Sequence, residues 1–326
     1  DVCPLRALTP MGKIVAEVAK KQRVMLVDYE DLLEKRMLEQ DNHSILGEEY
    51  FLDHVHPTIE GHKLLATALL KTMTSQGLAS PRADWKENAL TTVSAKIEGG
   101  VNPLKQGRAL ANLARVLLWA GKNDDAARLA KQALDIGGDY QEVADNAATS
   151  LATAYVRNGQ TKVAVAQLYK YLERSPNSIE LRLKLGQILL DLRLREEAAA
   201  NFLLVIQKMP YYDWAHALFG IDMVERDRPR IAYFSLMEAL RLNPNNTDAR
   251  KRLDKIQPML AGQKLYAQPP TIQLTSYPSA APHKLVQGRL YDSGEFILDG
   301  IAVEFHENGR LKKFTDFDQG EILGQV

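Results

Sequence analysis

Apolar residues recur at helical spacing through most of this chain, and in its middle the recurrence itself repeats. The stretch SLATAYVRNG carries one apolar stripe, a short turn follows, and AVAQLYKYLERSP carries a second stripe ended by proline. The pattern predicts a hairpin of two helices. Pro176, Pro210 and Pro244 fall at one 34-residue interval. Ala164, Ala198 and Ala232 share it, as do Ala152, Gly186 and Gly220, and the large apolar Leu168, Phe202 and Leu236. Small residues at two places in each unit let its helices approach closely, and the proline stops the second helix. Complete units are expected at 145–178, 179–212 and 213–246. A degenerate one covers 107–140, with Ala114, Gly121, Ala126 and Ala133 in register; four extra residues follow it and its terminal proline is missing. TDARKRLDKIQPMLAG, 247–262, is amphipathic and suits the cap that a stack of repeats needs.

The pattern differs at the two ends. Toward the start, GKIVAEVAKKQ (12–22) reads as an amphipathic helix, RVMLVDY as a short buried strand and EDLLEKRMLEQ as a second helix. After a loop, Thr58 is a good N-cap for a helix with Ile59, Leu65, Leu69 and Met73 on one stripe. This order suits the closing part of an α/β domain with a parallel sheet. Toward the other end, QPPTIQLTSYPSAAPHK (268–284) reads as a linker. The segment after it, GEFILDGIAVEFHENGRLKKFTDFDQGEILG, alternates apolar and polar residues, with Asn308-Gly309 at a hairpin turn. Phe305 would face Leu311 if Gly309 forms a bulge, whereas a two-residue turn would change the register. An isolated hairpin is marginal, so this tail is expected to dock on the solenoid's end or on a partner.

The fold class expected is therefore mainly α: a solenoid preceded by a partial α/β segment and followed by a small β-hairpin tail. The expected divisions are 1–78, a helical linker at 79–106, the solenoid at 107–262, a Pro-rich linker at 263–284 and the tail at 285–326. Lys plus Arg and Asp plus Glu number 41 each, so the net charge is zero. A neutral protein gains no long-range attraction to nucleic acid or anionic membranes, and neither is expected as a partner. The single cysteine, Cys3, excludes an internal disulfide. No apolar run reaches the roughly 18 to 20 residues that cross a bilayer. The chain starts with Asp, which suggests the middle of a longer protein, with any export signal or anchor lying upstream; compartment and oligomeric state stay open.

The 34-residue period and its small-residue positions resemble the tetratricopeptide repeat, a family of protein- and peptide-binding solenoids whose groove is lined by the first helix of each unit. The resemblance puts Arg108, Arg115, Asn146, Thr153, Arg157, Gln187, Trp214 and Glu225 in that groove and implies a protein or peptide partner. The family's clamp for acidic peptide C-termini needs Lys and Asn where this chain has Ala111, Thr149, Thr153 and Leu183. A solvated face of mixed charge is the alternative reading of these positions.

The densest chemistry lies in DHVHPTIEGH, 53–62, which holds three of the seven histidines. Asp and His three apart, just before a helix, can hydrogen-bond so that the carboxylate selects the imidazole tautomer. The block FLDHVHPTIEGHKLLA resembles the last conserved block of the SGNH, or GDSL-type, hydrolases. That resemblance implies Asp53 as orienter and His56 as general base of a Ser-His-Asp triad acting on esters, acetyl esters among them. It covers about residues 1–78 and lacks the family's Gly-Asp-Ser nucleophile block, which occurs nowhere in the chain. The 326 residues are thus expected to be inactive alone, with activity left to a longer parent. Alternatives are an inert remnant beside a binding module, a structural histidine cluster, and a metal site using His54, His56, His62 and Asp53; no metal and no cofactor are expected. Finally, DGIAVEFHENGRLKKFTDFDQGEILG resembles a MORN-type repeat, in which short hairpins stack into a ribbon.

Overall fold

The computed structural model describes residues 9–53, 56–80, 88–261, 269–291 and 293–325. The chain divides into two compact units, 1–102 and 103–326.

In the first unit, α1 (Thr9–Gln22), α2 (Tyr29–Asp41), α3 (Ile59–Ser75) and α4 (Asn88–Gly99) are helices. Asp28 caps α2 by accepting from the Asp31 amide, and Thr58 caps α3 by accepting from that of Gly61. The core is small: Leu33, Met37 and Tyr50, with Tyr29, Leu46, Phe51 and Leu64 packed around them. The strand expected over RVMLVDY does not form, since residues 24–28 have no ladder partner. Among the described residues of this unit only an isolated bridge, Phe51 to Pro57, has β pairing. A lone extended segment cannot satisfy its backbone as a strand, and Val24, Met25 and Leu26 stay exposed. The stripe of α1 (Met11, Ile14, Val15, Val18) is more than half exposed at each position, and Ile59, Leu69 and Met73 of α3 are exposed too.

The second unit begins with four helical hairpins. These are α5 (Pro103–Trp119) with α6 (Asn123–Gly137), α7 (Gln141–Arg157) with α8 (Thr161–Arg174), α9 (Ile179–Asp191) with α10 (Arg195–Lys208), and α11 (Asp213–Glu225) with α12 (Pro229–Leu242). The cap is α13 (Thr247–Ile256) and a 3-10 turn over Gln257–Leu260. This is a tetratricopeptide-like solenoid, and the sequence register explains its contacts. A Cβ on Gly186 would sit 2.6 Å from the Phe202 ring, and one on Gly220 2.8 Å from Leu236, so the small and large positions of one period pack on each other. The turn inside each hairpin takes a left-handed residue at one place: Gly121, Gly159, Arg193 and Asp227. The four extra residues after the first unit become an added turn at the start of α7, which has 17 residues against 13 in α9 and α11.

The tail is larger than expected. It is an antiparallel meander of five strands in sequence order: β1 (Thr271–Ser276), β2 (Pro282–Leu290), β3 (Phe296–Phe305), β4 (Leu311–Asp318) and β5 (Glu321–Gln325). The stretch 271–284, read as linker, is thus β1, a turn and the start of β2. Pro278 lies in the turn and Pro282 is the first residue of β2, a position where a strand tolerates proline, and TIQLTS keeps the alternation that the sheet uses. Phe305 pairs with Leu311, with the register shift next to it and Gly309 left-handed, as the bulged form of the turn requires.

One face of the sheet enters the solenoid's core: Leu285, Ile301, Val303, Phe305 and Phe314 are buried with the repeat residues. The sheet lies on the second helices. Arg310 stacks over Tyr169 of α8 and Arg289 over Phe234 of α12. Asp316 accepts from Arg226 and Arg228 at 3.3 and 3.4 Å, and Arg230 pairs with Asp318. Between solenoid neighbours and sheet, α10 is buried all round, from Ala198 through Ile206. Its run AAANFLLVI has no polar face because none of its faces meets water.

Candidate functional site

The Asp53–His56 pair has the geometry that its spacing implies. The loop before α3 is closed by the amide of Leu52 donating to the His56 carbonyl, at 2.8 Å, and by that of Thr58 donating to the Tyr50 carbonyl, also 2.8 Å. Gly61 permits this, since a Cβ there would lie 2.8 Å from the Tyr50 carbonyl oxygen. Within the loop, the His56 amide donates to Asp53 Oδ1 at 2.8 Å and His56 Nδ1 lies 2.7 Å from Oδ2. The ionised carboxylate only accepts, so Nδ1 carries the proton and Nε2 of the neutral ring is left as the basic nitrogen. Asp53 is nearly covered, with 12% of its side chain exposed, while the His56 ring is 66% exposed. The carboxylate is thus covered and the ring it holds is accessible. His62 is exposed on α3, and His54 lies outside the described residues. Among the described residues no three His, Cys, Asp or Glu side chains gather as a metal-binding set.

The eight groove candidates all lie on the first helices. Arg108 and Arg115 are on α5; Asn146, Thr153 and Arg157 on α7; Gln187 on α9; Trp214 and Glu225 on α11. Three of them hold the stack together, and three more bond within their own helix. Arg108 pairs with Glu142 at 2.7 Å, Arg157 donates to the Leu118 carbonyl, and Glu225 pairs with Arg195 and Arg252. Asn146 and Thr153 bond carbonyls of their own helix, and Arg115 bonds Asn112. Gln187 is half-buried, and Trp214 is 39% exposed.

Two residues that sequence reasoning passed over join this face. Trp119, 88% exposed, ends α5 at the place that Arg157 and Glu225 hold in later units, so the register would have found it. Lys184 on α9 is pulled below the ordinary lysine range by burial and then by the charge of Arg157. Aromatic surface and paired like charges thus stand on the first helices, while the sheet lies on the second helices α8, α10 and α12.

No protein-family model matches the sequence, and no curated protein matches it. Among solved structures the chain is similar to PilF of Pseudomonas aeruginosa, with 19% identity, 49% of this chain and 71% of that one covered, and a TM-score of 0.45. It is also similar to MamA of AMB-1 (19% identity, 48% and 82% covered, TM-score 0.39). YrrB, described as a TPR protein with an unusual peptide-binding site, has 18% identity, 67% and 95% covered, and a TM-score of 0.38. The repeat fold itself stands on the period and helix pairing of this chain.

Proposed function

We propose that the chain is a protein-interaction scaffold whose first-helix face receives an extended peptide or a partner's surface. The observation that carries this is the division of the solenoid's sides. The meander lies on the second helices α8, α10 and α12, and the first helices keep Trp119 and Trp214 exposed and carry Gln187 and Lys184 between them in the chain. Exposed tryptophan among polar groups is the composition of binding hot spots. The fit is to a partner with an apolar or aromatic anchor and a carboxylate for Lys184 and Arg157. The test is to select peptides on the full chain from a random library and measure their affinity by fluorescence polarisation. Trp119→Ala, Lys184→Ala or Trp214→Ala should weaken binding about tenfold or more. Failure to select any peptide, or affinities indifferent to all three changes, would sink the reading.

A second reading belongs to the first unit and is favoured by the 2.7 Å contact between His56 and Asp53. In it the pair is the base and orienter of an SGNH-type ester hydrolase, with the serine supplied from outside these residues, and the scaffold places that enzyme on its target. The MORN resemblance of the tail is part of the same proposal, the meander serving the solenoid as a brace. Acetyl-ester hydrolysis by a longer parent protein, lost in His56→Ala, is the expected result. Hydrolysis that ignores His56 would leave the pair as the lock of a loop.

A further inference from the structure

Where the meander meets the repeats, a cleft of about 310 Å³ opens between α10, α12 and β1. Its walls are apolar: Leu203 and Ile206 of α10, Ile231 and Phe234 of α12, Pro270, and Ile272 of β1. Five polar side chains line it as well: Gln207, His216, Ser235, Glu238 and Gln287, the last with its Oε1 already accepting from the Ile301 amide at 3.1 Å.

The repeat explains why the cleft exists. One unit earlier, the equivalents of His216 and Ser235 are Arg182 and Asn201. Arg182 is buried and fully engaged, with Nε and Nη2 donating to the Pro176 carbonyl at 2.8 and 2.7 Å and Nη1 to Asn201 Oδ1 at 3.1 Å. His216 repeats the first of these contacts, as its Nε2 donates to the Pro210 carbonyl at 2.8 Å. It then stops short, and Ser235 does not reach across as Asn201 does.

The consequence is electronic as well as steric. A carbonyl can only accept, so Nε2 holds the proton and Nδ1 presents a lone pair. His216 is more than nine-tenths buried, and its Nδ1 has no hydrogen-bond partner. Burial also pulls this ring's pKa below the ordinary histidine range, partly offset by the Pro210 carbonyl and the Glu238 carboxylate. Oε1 of Gln207 is a second buried acceptor without a partner. Buried acceptors left without donors are costly, so these two call for an N–H or O–H in the cleft. The carboxylate of Glu238, also on the wall, is bridged at both oxygens by Arg241, at 2.6 and 2.7 Å.

We propose that this cleft is a binding site for a small, neutral, largely apolar molecule that carries a hydroxyl or N–H donor, received by His216 Nδ1 and Gln207 Oε1. Its volume is at the lower end of small-molecule sites, which suits a one- or two-ring compound.

The test uses the full chain with matched probes: indole and phenol, which carry a donor, and 1-methylindole and anisole, which do not. Binding is followed by NMR of 15N-histidine protein. Indole and phenol should bind about tenfold tighter than their methylated partners, the difference one buried hydrogen bond makes, and should shift the Nδ1 resonance of His216 upfield. The double variant His216→Arg with Ser235→Asn copies the preceding unit, fills the cleft and should bind none of the four while remaining folded. Gln207→Met should narrow the gap within each probe pair without unfolding the chain. Equal affinity for methylated and unmethylated probes overturns the proposal, as does binding that survives the double variant. So does absence of binding by all four, which would mean that water serves the two acceptors.

Discussion

The two units draw on the same kind of helix and finish differently. In 103–326, the apolar stripe of each helix meets a neighbour one period away, and even α10, which is apolar on every side, is covered on every side. In 9–102, α1 has as regular a stripe, yet Met11, Ile14, Val15 and Val18 lie exposed, and the extended Val24–Leu26 beside it has no sheet to join. An amphipathic pattern is therefore a statement about what a helix can bury, and only the presence of a complementary surface turns it into stability. Repeats supply that surface from their own sequence.

This contrast is sharpest under substitution. Gly186→Leu drives a side chain into the Phe202 ring, which is buried at the centre of the stack, and should cost about 3 kcal/mol or more; an unchanged denaturant midpoint would break the register on which the solenoid rests. Asp222→Asn should act in the other direction. Asp222 is fully covered, and burial outweighs the neighbouring Arg226 and Arg195 to lift its pKa to about 6. Since the folded value lies above the unfolded one of about 3.9, the native state prefers the protonated acid, and its contribution to stability is lost as pH rises from about 4 through 6. The asparagine variant should match the wild type near pH 4 and exceed it at pH 7.5 by up to about 3 kcal/mol. A constant difference across that range in thermal melts would show that Asp222 does not titrate there. The smallest effect is expected in the first unit: Val15→Ser or Leu69→Ser should change stability by no more than about 0.5 kcal/mol, because both side chains are already exposed. A loss of 2 kcal/mol or more in either would mean that these stripes are covered in solution, and the contrast between the units would fall.

What could be read in advance follows the same division. The solenoid was legible because its evidence is periodic and local: Pro176, Pro210 and Pro244 mark the turns, and Gly186 and Gly220 mark the close approaches. The Asp53–His56 pair was legible because three residues and one proline suffice to bring the groups together. The meander was not, since the partner of Leu274 is Leu285 and that of Leu285 is Val303, and no short window contains such a ladder. The prolines at 269, 270, 278 and 282 suggested a linker over residues that are strands. The one available hint was AAANFLLVI, a helix with no side left for water, which announces a cover without saying what the cover is. The cleft at His216 was also out of reach as a cavity, although the exchange of Arg182 for His216 and of Asn201 for Ser235 between adjacent units can be read directly in the aligned repeats.

The enclosure of α10 has a mechanical corollary. A bare stack of hairpins touches only its nearest neighbours and peels from its ends one hairpin at a time. Here the meander ties Tyr169, Phe234 and the Arg226–Arg230 turn to one rigid plate, so the units from α8 to α12 share a single fate. Pulled from its two ends, this part of the chain should yield in one large rip rather than in a staircase of 34-residue steps.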